Sequence, residues 1–193
     1  MSKFMQPRIA AVAAALAVTS AIAIAPMAAQ AADTDAVGTL AGGALSNTAP
    51  PITAFNATLT GVTQTVRTAV GASAVIDATG TNAGYSLTVA ATAPTVDGDT
   101  AGAGTGASLT LTPTTATPAA GNPAQTGPVA TGAQALSTTA ATIQNAAAGT
   151  GQGEWNFAAD AGPVNNLAVV IPGDASAGAY SSTLTFTTAP PVA

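Results

Sequence analysis

The stretch that most constrains this chain is residues 166–190, where two runs of β-forming residues flank a polar turn. In Leu167-Ala168-Val169-Val170-Ile171, residues Leu167, Val169 and Ile171 share one face, the two-residue period of a strand with one buried side. From Ala179 to Thr187, Tyr180, Ser182, Leu184 and Phe186 alternate with Ser181, Thr183, Thr185 and Thr187. Pro172 has no N–H to give to a ladder, so the first strand ends there. The spacing predicts two strands joined by the turn at residues 172–178, closing a small all-β domain.

The composition points the same way. The chain carries 32 threonines, 20 glycines and 13 prolines; Thr favours strands, and Gly and Pro favour turns. Long charged helix-formers are nearly missing. Lys3, Arg8 and Arg67 are its cations, and it has no His and no Cys.

The first eight residues hold two of the three cations, and Ile9 to Ala25 is apolar apart from Thr19 and Ser20. Ala29-Gln30-Ala31 then fits a small-residue cleavage site. This order of basic, apolar and small residues predicts a secretory signal peptide over residues 1–31. An uncleaved membrane anchor is the alternative, for which the apolar run is slightly short. The expected organisation continues with a flexible segment at 32–51, a β-domain at 52–190 and a tail at 191–193. No second apolar run has membrane-spanning length, and Ala189-Pro190-Pro191-Val192-Ala193 shows no sorting signal. The expectation is a secreted protein with no covalent or transmembrane anchor after cleavage. It has no disulfides, so packing alone must hold it.

From Ala32 onward Arg67 faces eight acids, a formal charge of −7. Nucleic acid and anionic lipid both require cations that this segment lacks. Neutral glycans, cell-wall polymers and proteins remain as partners. The absence of His and Cys removes the usual general bases, thiolates and zinc ligands. Glu154 and Asp160 offer a carboxylate pair in principle, but solvated acids explain them better. The chain is expected to be non-catalytic and to need no cofactor. Asp97-Gly98-Asp99 supplies oxygens of the type calcium takes, without the rest of a calcium loop; a plain acidic turn is the better reading.

Between leader and close, short alternating runs recur. Phe55–Thr60 and Thr65–Val70 read as a hairpin; Ser73–Ala78, Tyr85–Ala91, Ser108–Thr112 and Glu154–Phe157 read as strands. Residues 134–137 and 141–144 read as further strand pieces, and 114–132 as a Thr- and Pro-rich excursion that can hide edge pairing. Nine or ten short strands predict an antiparallel β-sandwich with Greek-key connections, with a small closed barrel as the alternative.

Two of these strands carry a resemblance. Gly84-Tyr85-Ser86-Leu87-Thr88-Val89 and Tyr180 to Pro190 occur in the order of the two motifs of the WxL domain family, and Leu59 to Val66 and Val75 to Gly80 also fit. From about residue 54 to 190 the chain resembles that family in its actinobacterial style. Tyr85 and Phe186 occupy the signature tryptophan positions, and Thr188 replaces the last leucine. Trp155 lies in a different strand. The resemblance implies an exported surface domain of Gram-positive bacteria that contacts peptidoglycan non-covalently, alongside other surface proteins. The binding candidates are Tyr85, Leu87, Tyr180, Leu184, Phe186 and Trp155. Each aromatic serves either the core or a glycan contact, and the hydroxyls of Tyr85 and Tyr180 make them the stronger surface candidates. A second hypothesis is a structural subunit of a pilus, surface layer or matrix, self-associating through strand edges.

Overall fold

The computed structural model describes residues 38–96, 106–122, 125–157 and 166–191. The leader, the Asp97-Gly98-Asp99 turn and Asp160 lie outside the described residues. Thr39–Ala193 forms one compact unit.

Among the described residues the chain builds fourteen strands and no helix. In order they are β1 (Leu45–Asn47), β2 (Gln64–Thr68), β3 (Ser73–Asp77), β4 (Tyr85–Ala91) and β5 (Thr95–Val96). There follow β6 (Ser108–Leu111), β7 (Ala116–Pro118), β8 (Val129–Ala130), β9 (Gln134–Leu136) and β10 (Ala141–Ala146). The last four are β11 (Gly153–Phe157), β12 (Leu167–Ile171), β13 (Tyr180–Ser181) and β14 (Leu184–Ala189). Every pairing is antiparallel. Three sheets have four strands each, ordered β1-β3-β11-β7, β14-β4-β10-β8 and β2-β12-β6-β9; β13 and β5 form a separate pair. The sheets stay open and no barrel closes among the described residues. The architecture is therefore the antiparallel β-sandwich class expected from the alternation.

One core joins the three sheets. Val75, Trp155 and Phe157 come from the first, Tyr85, Leu87, Val89 and Ile143 from the second, and Leu109, Leu111, Leu167, Val169 and Ile171 from the third. The sheets are tied at their margins as well. The Asn47 side-chain amide donates to the Phe186 carbonyl at 3.3 Å, and the Thr188 hydroxyl donates to Asn47 Oδ1 at 3.2 Å. The Ala91 N–H donates to the Ser137 carbonyl at 2.8 Å.

Strand positions follow the local pattern closely, whereas partners often do not. The two terminal runs do not pair with each other. β12 is central in the third sheet between β2 and β6, and β14 lies at the edge of the second, against β4. Burial explains the difference: Leu167, Ala168, Val169 and Ile171 are all buried, while β14 alternates half-buried with exposed residues. The second run also divides, β13 pairing with β5 and β14 reaching Ala189.

The hairpin of 55–60 with 65–70 does not form. Pairing begins with the Ile52–Val70 bridge, and the Gly71 N–H donates to the Pro51 carbonyl. Residues 54–59 then leave the ladder, and β2 pairs instead with β12. The departure lets Phe55 pack on the core cluster, where burying an aromatic side chain is worth more than the net gain of a few exposed ladder hydrogen bonds. Upstream, β1 adds an edge strand to β3 from within residues 32–51, and β7 supplies the hidden edge pairing in the Thr- and Pro-rich excursion.

Candidate functional site

The two motif strands are hydrogen-bonded neighbours. Phe186 is opposite Val89, and Thr188 is opposite Leu87. Tyr85, Leu87 and Val89 point into the core, and Leu184 and Phe186 pack half-buried against it from β14. The signature positions thus build the inner face of one sheet.

This placement corrects the expectation of a surface-facing Tyr85. Its side chain is fully buried, with 0% exposure, and its hydroxyl has no hydrogen-bond partner among the described residues. Burial, and then the negative charge of nearby Asp77, push its phenol far above the ordinary value of 10.0. Asp77 is itself buried; its Oδ1 accepts hydrogen bonds from the Thr79 N–H at 3.0 Å and the Thr79 hydroxyl at 2.7 Å. Leu87 and Trp155 are each 3% exposed and offer no ligand surface either.

Two predictions follow from the orphaned phenol. Tyr85→Phe removes a buried polar atom without removing a ring, so it is expected to stabilise the fold by about 1–3 kcal/mol. Urea unfolding followed by circular dichroism measures this; a loss of stability would mean that the hydroxyl has a partner. The phenol also makes stability pH-dependent. Above about pH 10 the unfolded chain ionises this tyrosine while the folded chain keeps it protonated, so the folded state binds more protons. Stability then falls by up to about 1.4 kcal/mol per pH unit until the folded value is reached. Stability measured from pH 8 to 11 is expected to fall less steeply in Tyr85→Phe.

Tyr180 differs from the other aromatic candidates. It is half-buried, and its hydroxyl donates to the Ser176 carbonyl at 2.8 Å, fixing the ring across the turn. The ring stands at one side of a groove of about 630 Å³, whose opposite wall is residues 54–59. Asn56 and Thr58 are exposed along that wall. The Gln64 side-chain amide donates to the Thr58 carbonyl at 3.0 Å, and Phe55 anchors the wall beneath. Ala177, Gly178 and Ala179 form a small-residue rim beside Tyr180. Among the described residues that line the groove there is no Asp, Glu, Lys or Arg.

Of the six candidates, the structure brings only Tyr180 to this groove. The wall was visible in the sequence as the alternation Phe55, Ala57, Leu59 against Asn56 and Thr58, but that pattern signals a paired strand. Only the failure of the hairpin turns it into a groove wall. Among the described residues no cluster of three metal-ligating acids, histidines or cysteines occurs, and no helix is long and apolar enough to cross a membrane. Glu154 lies exposed on β11.

No curated protein and no solved structure matches the chain. The family described as "WxL domain surface cell wall-binding" matches residues 34–190; the chain belongs to this family, and it is a cell-surface, wall-associated domain protein.

Proposed function

We propose that this protein is a non-catalytic, exported surface protein that attaches to the peptidoglycan wall by non-covalent contact of its own folded domain. The observation that carries the reading is the extent of the family match. Residues 34–190 include all fourteen strands of the described residues, which supports wall binding by the fold as a whole rather than by an appended segment. The groove beside Tyr180, whose described lining is uncharged, also supports the reading, because it gives the domain a concave face for a ligand.

Co-sedimentation of the purified protein with Gram-positive sacculi tests the reading. Saturable binding is expected. Tyr180→Ala is expected to weaken it about tenfold, the cost of losing an aromatic contact of about 1.4 kcal/mol, with the β-sheet circular dichroism unchanged. A folded protein that stays in the supernatant sinks the proposal. The position of β2 at the end of its sheet, with residues 54–59 turned away from it, favours a second reading as a structural subunit joined by strand edges. Regular assemblies of purified protein in electron micrographs would favour that reading.

A further inference from the structure

Resting on the wall-attachment reading, we infer that the groove between residues 54–59 and 176–180 is the wall-contacting site and that it takes an uncharged stretch of glycan strand. The signature positions Tyr85 and Leu87 are buried, and Phe186 is half-buried against the core. Recognition of a polymer too large to enter the core needs a different surface.

The groove has the dimensions and chemistry for this. Its volume of about 630 Å³ lies within the range of small-ligand pockets, roughly 300–1,000 Å³. A sugar ring presents an apolar face edged by hydroxyls. Tyr180 offers an aromatic ring to the face. Asn56 offers both a donor and an acceptor to the edge, and Thr58 adds a hydroxyl. Ala177-Gly178-Ala179 leaves room for a bulky ring to approach Tyr180.

The lining also argues against other wall components. An anionic wall polymer carries phosphates, which are bound by Arg, Lys or backbone N–H clusters; among the described residues that line the groove there is no cation. Stem peptides carry free carboxylates and amines that would be buried here without partners, at a cost. A neutral glycan incurs neither penalty. The site is also ordered in advance. The Tyr180–Ser176 hydrogen bond holds one wall, and the Gln64–Thr58 hydrogen bond with the anchored Phe55 holds the other. Little side-chain freedom is then lost on binding.

The test uses the full purified protein, sacculi stripped of anionic polymers, and two soluble competitors. One competitor is glycan strands freed of stem peptides by an amidase; the other is the released stem peptides. Ala57→Glu places an unpaired charge in the groove from an exposed position and is expected to weaken binding at least about tenfold. Ala177→Glu on the opposite wall does the same and covers the case in which the first variant fails to fold. Glycan strands are expected to displace the wild-type protein and stem peptides are not, with little dependence on salt. If the wild type binds sacculi and both folded variants bind equally well, the groove assignment is wrong while wall attachment stands. Displacement by stem peptides alone overturns the glycan class. Failure of the wild type to bind any sacculus removes the wall reading and this inference together.

Discussion

Replacing Trp155 with alanine is expected to destabilise the fold by about 3–5 kcal/mol, the range for removing a large aromatic from a packed interior. Trp155 is 3% exposed on β11, whose neighbours are β3 and β7. Its ring lies so close over Gly127 that a Cβ there would come within 2.4 Å of ring carbon Cζ3. The chain therefore keeps a bare backbone under the indole, with no side chain at Gly127 to fill the space that alanine leaves. The indole N–H also donates to the Gln152 carbonyl at 3.2 Å, an interaction the variant loses. Against a total stability of about 5–15 kcal/mol for a domain of this kind, the change brings the protein near unfolding. Trp155 is the sole tryptophan, so denaturation must be followed by far-ultraviolet circular dichroism rather than fluorescence. A loss below about 1 kcal/mol, the size of an ordinary surface change, would show that the ring is not a core element.

The second large effect is expected at Gly84→Ala. Gly84 has φ +81°, and an added Cβ would lie 2.2 Å from the Ala146 carbonyl oxygen and 2.7 Å from the Ala147 carbonyl carbon. Both atoms are backbone, so no side-chain rotation relieves the overlap. They close β10 just where Ala146 pairs with Tyr85 at the start of β4, so relief must pull that pairing apart. The left-handed conformation costs an alanine about 1–2 kcal/mol, and the overlap adds about 1–3 kcal/mol. Gly80 separates the two causes. Its φ is +69°, but a Cβ there meets nothing within 4 Å, so Gly80→Ala should show only the conformational part, about 1–2 kcal/mol. Matched urea titrations of the two variants measure the difference. Equal losses would mean that the close approach at Gly84 contributes nothing.

The two positions also show why one family motif reads as it does. A Gly before an aromatic-x-Leu strand looks in sequence like a candidate binding element. In the structure Gly84 permits a backbone contact, Tyr85 fills the core beside it, and Leu87 continues the buried face. The motif describes how the sheet is made. Its partner strand, with Leu184 and Phe186 turned inward, completes the same face.

The local part of the fold is legible in the order of the residues. Alternation at Tyr85–Ala91 and Ser108–Leu111 is a property of neighbouring residues, and a two-residue period has one physical meaning. Leu167–Ile171, by contrast, reads as a strand with one buried side but is buried on both faces at the centre of its sheet. The sparse cations and the absence of His and Cys are likewise fixed by composition, and they bound the chemistry before any folding. Pairing is different, because two strands meet through residues far apart in the chain, and many partners satisfy the same alternation. Long-range packing is what joins β12 to β2 and β6, joins β14 to β4, and seats Phe55 against the core instead of in a hairpin. The sorting of aromatics followed from that packing: Tyr85 and Trp155 went inside, where their apolar area outweighs their polar atoms, and Tyr180 stayed at a rim where its hydroxyl reaches a carbonyl. The groove exists where residues 54–59 leave the ladder, with Phe55 packed half-buried against the core and Thr58 tied to the Gln64 side chain.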